Sequence, residues 1–227
     1  MKELHDPSAE SGIAVVSDDN YNTNKFDHVF SGYSIWLELE TSDNLDKEML
    51  YLQGSCGGQC CGVSQYAPHV TLSYNIPVDQ LKFPKQSLIQ FWTEFRESKQ
   101  QQPNDDSLSL SAFDWLYFRY PKSADNGKGF GCSITLLLIE KSPWLQDLHT
   151  SCIEWFGKGE RDNFTPHLSL VYAPEDKEDF LKTYTKDRRE LKMFLNHSMP
   201  LKYLSLWSTE GRIHEWRPIA KIPLCNK

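Results

Sequence analysis

No stretch of this sequence reaches the roughly 18 consecutive apolar residues that a membrane-spanning helix requires, so no membrane partner is expected. The N-terminus, MKELHDPSAESGIAVVSDDNYNTNKFDHVF, lacks the charged, then apolar, then small-residue order of a secretory signal; a cytoplasmic location is the expectation. Positive charge is scarce as well: 24 Lys and Arg stand against 31 Asp and Glu, for a formal net charge of −7. An acidic surface repels a phosphate backbone, so long nucleic acid held on a broad basic face is not expected. A small anion in a local pocket remains compatible with that balance.

The cysteines lack the arrangement a structural metal needs. Of the six, Cys56, Cys60 and Cys61 fall in CGGQCC, while Cys132, Cys152 and Cys225 are scattered. Structural zinc sites pair two short Cys/His clusters, and no second cluster of such spacing occurs. CGGQCC therefore reads as a Gly-rich loop of free thiols, with a redox disulfide as the alternative. No metal and no cofactor is expected.

What is present suits a globular chain. The 227 residues, 39% of them hydrophobic, can bury a substantial core, as one large domain or two small lobes sharing a sheet. Residues 1–28 are rich in Asp, Asn and Ser without sustained periodicity and read as a flexible leader. Residues 29–227 read as a single bilobal domain, expected to act as a monomer. YSIWLELE from Tyr33 alternates as a strand does, and DNLDKEMLYLQ with a cap at Asp43 follows as a helix. HVTLSYNI is a strand that Pro77 ends. KQSLIQFWTEFRESKQ sets Leu88, Phe91, Trp92 and Phe95 at helical spacing. LSLSAFDWLYFRY and GCSITLLLIE are strand-like runs around a turn-rich segment. SPWLQDLHTSCIEWF starts a helix with Ser142 as cap and Pro143 first, and aligns Trp144, Leu148, Cys152 and Trp155. HLSLVY is a strand, a short acidic helix runs from about Glu175 to Tyr184, and KMFLNH, LKYLSLWST and EWRPIAKIPL supply the last strands. Strand-helix-strand-helix thus occurs twice. The fold class expected is α+β: two similar lobes of antiparallel sheet, backed by helices, with a cleft between them.

Each half contains the same pentad, PHVTL from Pro68 and PHLSL from Pro166. Side chains alternate along a strand, so His69 shares a face with Thr71, and His167 with Ser169, while the aliphatic residues face the other way. If the lobes oppose each other, two imidazoles and two hydroxyls meet in one cleft. Phosphodiester cleavage uses that set. One neutral imidazole takes a proton from water and a protonated one gives a proton to the departing oxygen. An ordinary pKa of about 6.5 allows histidine either role. The hydroxyls can hold the non-bridging phosphate oxygens. His5, His28, His149, His197 and His214 lack such partners and read as surface or satisfied structural histidines.

This paired arrangement resembles the two-histidine phosphoesterase superfamily, and PHVTLSY with PHLSLVYA is most similar to its plant and fungal cyclic phosphodiesterases. The likeness covers roughly residues 30–225 in matching order. It implies that His69 and His167 are the acid/base pair, with Thr71 and Ser169 as phosphate-binding hydroxyls. It also implies that Tyr172, five positions after the second histidine, contacts substrate, although simple alternation puts it on the wrong face unless a bulge intervenes. Trp216 matches an aromatic near the family's active site, and Tyr117 or Phe118 could stack on a base. The implied activity is metal-independent hydrolysis of a nucleoside 2′,3′-cyclic phosphate, or ADP-ribose 1″,2″-cyclic phosphate, with the 3′ oxygen leaving to give the 2′-phosphate (or 1″-phosphate). The alternatives are an RNA-end or 2′-5′ phosphodiesterase of the same fold, and a non-catalytic nucleotide-binding module. The leader and the Cys-rich insertion depart from the family pattern.

Overall fold

The computed structural model describes residues 31–55, 67–98, 109–119, 132–139, 144–157, 164–173, 175–187, 192, 194–210 and 215–224. The expected leader, the CGGQCC loop, and the expected cap at Ser142 and Pro143 lie outside them. In chain order the elements are β1 (Tyr33–Leu39), α1 (Asp43–Ser55), β2 (His69–Ile76), α2 (Pro84–Ser98), β3 (Ser109–Arg119), β4 (Cys132–Ile139), α3 (Trp144–Phe156), β5 (His167–Ala173), α4 (Glu178–Asp187), β6 (Ser198–Ser208) and β7 (Arg217–Pro223). The class is α+β, and every strand pairing is antiparallel.

One seven-stranded sheet carries both halves, in the order β2-β1-β6-β3-β4-β5, with β7 added on β6. The long strand β6 joins them. Its first residues, Ser198 to Pro200, pair with β3, and Leu201 to Ser208 pair with β1. The two ends of the strand order, β2 and β5, touch each other, so the sheet curls until its outer strands meet. The helices cross over: α1, from the first half, packs on β5, and α3, from the second, packs on β2. Each half thus covers the motif strand of the other.

Alternation explains which side chains go where. On β1, Ile35, Leu37 and Leu39 join the helix-covered core, while Trp36 and Glu38 turn to the opposite face. Leu45, Met49 and Leu52 of α1 and Leu88, Phe91 and Phe95 of α2 supply buried helical stripes. Full burial of such a side chain stabilises by about 1.5–3 kcal/mol. On α3 the buried set is Leu145, Leu148, His149, Cys152, Ile153 and Phe156. Trp155, expected in that stripe, is instead half-exposed. The row through Leu148 and Cys152 continues to Phe156 at four-residue steps, which leaves Trp155 beside it.

Three local expectations change. The α1 cap is Ser42, not Asp43: the Ser42 hydroxyl accepts from the Leu45 amide at 3.3 Å, three residues on, as an N-cap does. The acidic segment after β5 begins with a 3-10 turn, Glu175–Lys177, before α4 starts. KMFLNH is not a strand, because residues 194–196 form a turn. Asn196 takes a φ of 63°, which ends an extended run, and its amide donates to the Ala112 carbonyl at 2.6 Å. Phe194 still reaches the core from that turn.

Candidate active site

His69 opens β2 and His167 opens β5. The Nδ1 of His69 lies 2.8 Å from the Ala67 carbonyl oxygen, and that of His167 lies 2.9 Å from the Thr165 carbonyl oxygen. A carbonyl only accepts, so Nδ1–H is the donor in both rings. Each neutral imidazole therefore carries its lone pair on Nε2. The same bond, to the residue two positions earlier, recurs in both halves. It sets the tautomer that proton exchange at Nε2 requires.

Both motifs also carry a bulge at the same position. In the β1/β2 ladder Ile35 pairs with Ser73 and Trp36 with Thr71, which leaves Leu72 as the extra residue. In the β4/β5 ladder Ile134 pairs with Val171 and Thr135 with Ser169, leaving Leu170. An extra residue resets the alternation beyond it. Tyr172 accordingly returns to the face of His167 and Ser169, and its hydroxyl lies 2.7 Å from the Ser169 hydroxyl. Tyr74 occupies the equivalent place in the first motif, five residues after His69. The repeat is therefore a heptad, Pro-His-x-(Thr/Ser)-Leu-x-Tyr, and comparing seven positions instead of five would have picked out Tyr74.

The His69 ring lies flat on Trp36, with centroids 3.6 Å apart and planes 9° from parallel. Trp207 stacks behind Trp36 at 4.6 Å, and Trp216 packs at a tilt, 6.0 Å away. The Trp207 indole N–H donates to Glu38 at 3.0 Å, and Lys221 meets the other Glu38 oxygen at 2.7 Å. A carboxylate only 2% exposed is thereby matched by two donors. The result is a braced aromatic wall behind one imidazole. Trp216 thus packs on the indole that backs His69, and Trp36, Trp207, Glu38 and Lys221, which alternation and motif spacing do not single out, complete the wall.

Burial pushes the His69 pKa down to about 3, against the raising effect of the Ala67 carbonyl, and nearby His167 lowers it further. Burial also lowers that of His167, opposed by the Thr165 carbonyl. Both imidazoles are therefore neutral in the ligand-free protein at neutral pH.

Residues 31–224 match the model of the family described as cyclic phosphodiesterase-like protein. The chain belongs to that family. Among curated proteins no match was found. Two solved structures are similar at 12% identity, covering 86% of this chain and 97% of theirs. These are a structure of Kluyveromyces marxianus Usb1, with a TM-score of 0.49, and one of the same protein with uridine monophosphate, at 0.48.

Within this cyclic phosphodiesterase-like chain, the two aromatics named on β3, Tyr117 and Phe118, stand at successive places in the ladder with β4. Tyr117 pairs in the ladder with core residue Ile134, packs against the core, and has Lys182 of α4 over its ring. Alternation on β3 has turned it to the side that α4 covers. Phe118 stands opposite Ser133 in the ladder, and its side chain lies outside the described ones. His149 is buried and hydrogen-bonded, and His197 is exposed. His5, His28 and His214 lie outside the described residues. Cys152 is fully buried and its thiol pKa is raised by that burial, which makes it inert. Among the described residues no group of three His, Cys, Asp or Glu is placed to hold a metal ion.

Proposed function

We propose that this protein hydrolyses a nucleoside 2′,3′-cyclic phosphate, or ADP-ribose 1″,2″-cyclic phosphate, without a metal, to the 2′-phosphate or 1″-phosphate. The observation that carries the reading is the repeated geometry of the two motifs. Two imidazoles, each with Nδ1 tied to the backbone and a hydroxyl two residues on, stand on outer strands that meet. Binding alone does not call for two proton-transfer groups of matched tautomer.

In the reaction, a water oxygen attacks phosphorus and gives its proton to a neutral Nε2. The bond from phosphorus to the 3′ oxygen breaks, and that oxygen receives a proton from the second imidazole, held as imidazolium. Thr71 and Ser169 donate to the non-bridging oxygens as charge builds on them. Product release and proton exchange with water restore both rings. His69 and His167 serve as the pair, with Tyr172 and Trp216 lining the site. The free protein is neutral at both imidazoles, so the proton that the acid donates is taken up when the anionic substrate arrives. The substrate is a small nucleotide, and the acidic surface fits it better than long RNA.

Phosphorus NMR with the four nucleoside 2′,3′-cyclic phosphates, in the presence of a chelator, tests this directly. The expected result is turnover to the 2′-phosphate, with kcat lowered by about 10²–10⁴-fold in His69→Ala and in His167→Ala. Binding without turnover would leave a nucleotide-binding module, and activity restored only by added metal would overturn the mechanism.

A further inference from the structure

Among the described residues, His149 is the buried histidine that the proposed reaction does not use. It stands on α3, in the second half, and is 4% exposed. Its Nδ1 lies 2.8 Å from the Leu72 carbonyl oxygen, so Nδ1–H donates across to β2 in the first half. Leu72 is the bulged residue of the first motif. A bulge takes its residue out of the regular ladder, and the carbonyl needs a donor from elsewhere when it is buried. His149 provides one. That bulge lies between the His69/Thr71 pair and Tyr74.

The same ring also serves the second motif. It lies flat on Phe164, with centroids 3.9 Å apart and planes 7° from parallel. Phe164 immediately precedes Thr165, whose carbonyl holds the Nδ1 of His167. One imidazole therefore touches the bulge that sets the first motif and the segment that orients the second. A leucine could fill much of this volume, but it could not donate to Leu72. Ordinary packing would not need both contacts at those two places.

We propose that His149 is a positioning residue that locks the two histidine motifs into one relative register. This goes beyond the proposed reaction and rests on it only in taking His69 and His167 as the working pair. In-line displacement needs acid and base on opposite sides of phosphorus, and small errors of placement cost rate more than binding. The donor bond governs the first motif and the ring stack governs the second.

The test compares His149→Phe, which stacks but cannot donate, with His149→Gln, which donates but does not stack. Ring resonances of His69 and His167 are followed by NMR in the ligand-free protein, alongside thermal stability, kcat and KM. His149→Phe is expected to move the His69 signals and to lower kcat by about 10–100-fold with little change in KM. His149→Gln should restore the His69 signals and shift those of His167. If His149→Phe does not fold, His149→Gln and Phe164→Leu carry the test, each expected to move His167 with His69 in place. Unmoved His69 and His167 signals in the folded variants would overturn the proposal, as would rate losses that simply follow stability in both. The NMR readout needs no substrate, so absence of turnover in the wild-type protein would count against the proposed function alone.

Discussion

Trp36 lies flat against His69, with ring centroids 3.6 Å apart, and the two side chains come from neighbouring strands β1 and β2. The indole removes water from one face of the imidazole. It is held there by Trp207, which Glu38 anchors in turn. Two effects on His69 compete. A stacked indole attracts imidazolium, while desolvation favours the neutral ring. Burial is the largest influence on this histidine, so desolvation wins.

Trp36→Leu should therefore raise the His69 pKa toward the ordinary value near 6.5. The same change loosens the ring and should lower kcat. Titration of the His69 ring protons by NMR checks the direction. A midpoint that stays in place or falls would show that the indole does not control the solvation of His69.

Acid stability follows from the same shift. Unfolded histidine takes up a proton near pH 6.5, about the ordinary value, whereas folded His69 does so only near 3. Between those limits the unfolded chain binds more protons, so stability falls as pH drops below about 6.5 and continues to fall toward 3. Above 6.5 this contribution is flat. His167, also lowered, adds in the same direction. Urea unfolding across pH 5.0–7.5 should show the loss in the wild type and a shallower slope in His69→Gln. Equal slopes would mean that His69 is not desolvated in the folded state.

Much of this arrangement was legible in the sequence, for reasons that differ by residue. His69, Thr71, His167 and Ser169 showed through because a two-residue period on a strand needs no tertiary information. Tyr172 showed through by conflict: alternation placed it wrongly, and the Leu170 bulge resolves that. Trp36 was hidden, because a tryptophan in an alternating apolar run reads as core. Its stack on His69 depends on the β1/β2 register, where Trp36 lies opposite Thr71. His149 read as a satisfied histidine, which it is; its partner Leu72 lies 77 positions away in the chain. KMFLNH read as a strand, and the positive φ of Asn196, which only the folded backbone reveals, ends any extended run there.

The Ser169–Tyr172 hydrogen bond couples two residues that family resemblance had assigned separately. If Tyr172 acts by orienting the Ser169 hydroxyl, the two substitutions are not independent. Ser169→Ala should cost on the order of 2–4 kcal/mol in transition-state stabilisation. Tyr172→Phe should cost less, and the double variant should match Ser169→Ala within error. Kinetics of the three variants close the cycle. Fully additive losses would mean that Tyr172 meets the substrate in its own right.

The pH dependence of rate tests the division of labour between the two imidazoles. A cyclic phosphate diester keeps one negative charge throughout the accessible range, so titration near neutrality belongs to the protein. The kcat/KM profile reports the free enzyme, and kcat reports the complex. In the free enzyme both imidazoles are held below the ordinary value. Bound phosphate favours the protonated form and raises them. The kcat profile should therefore be bell-shaped, with limbs at higher pH than those of kcat/KM. Because His167 influences His69, the apparent values describe the pair. His69→Ala and His167→Ala should each remove a different limb, and the limb lost identifies the base. A kcat profile with a single ionisation would sink the two-histidine mechanism, even if both alanine variants were inactive.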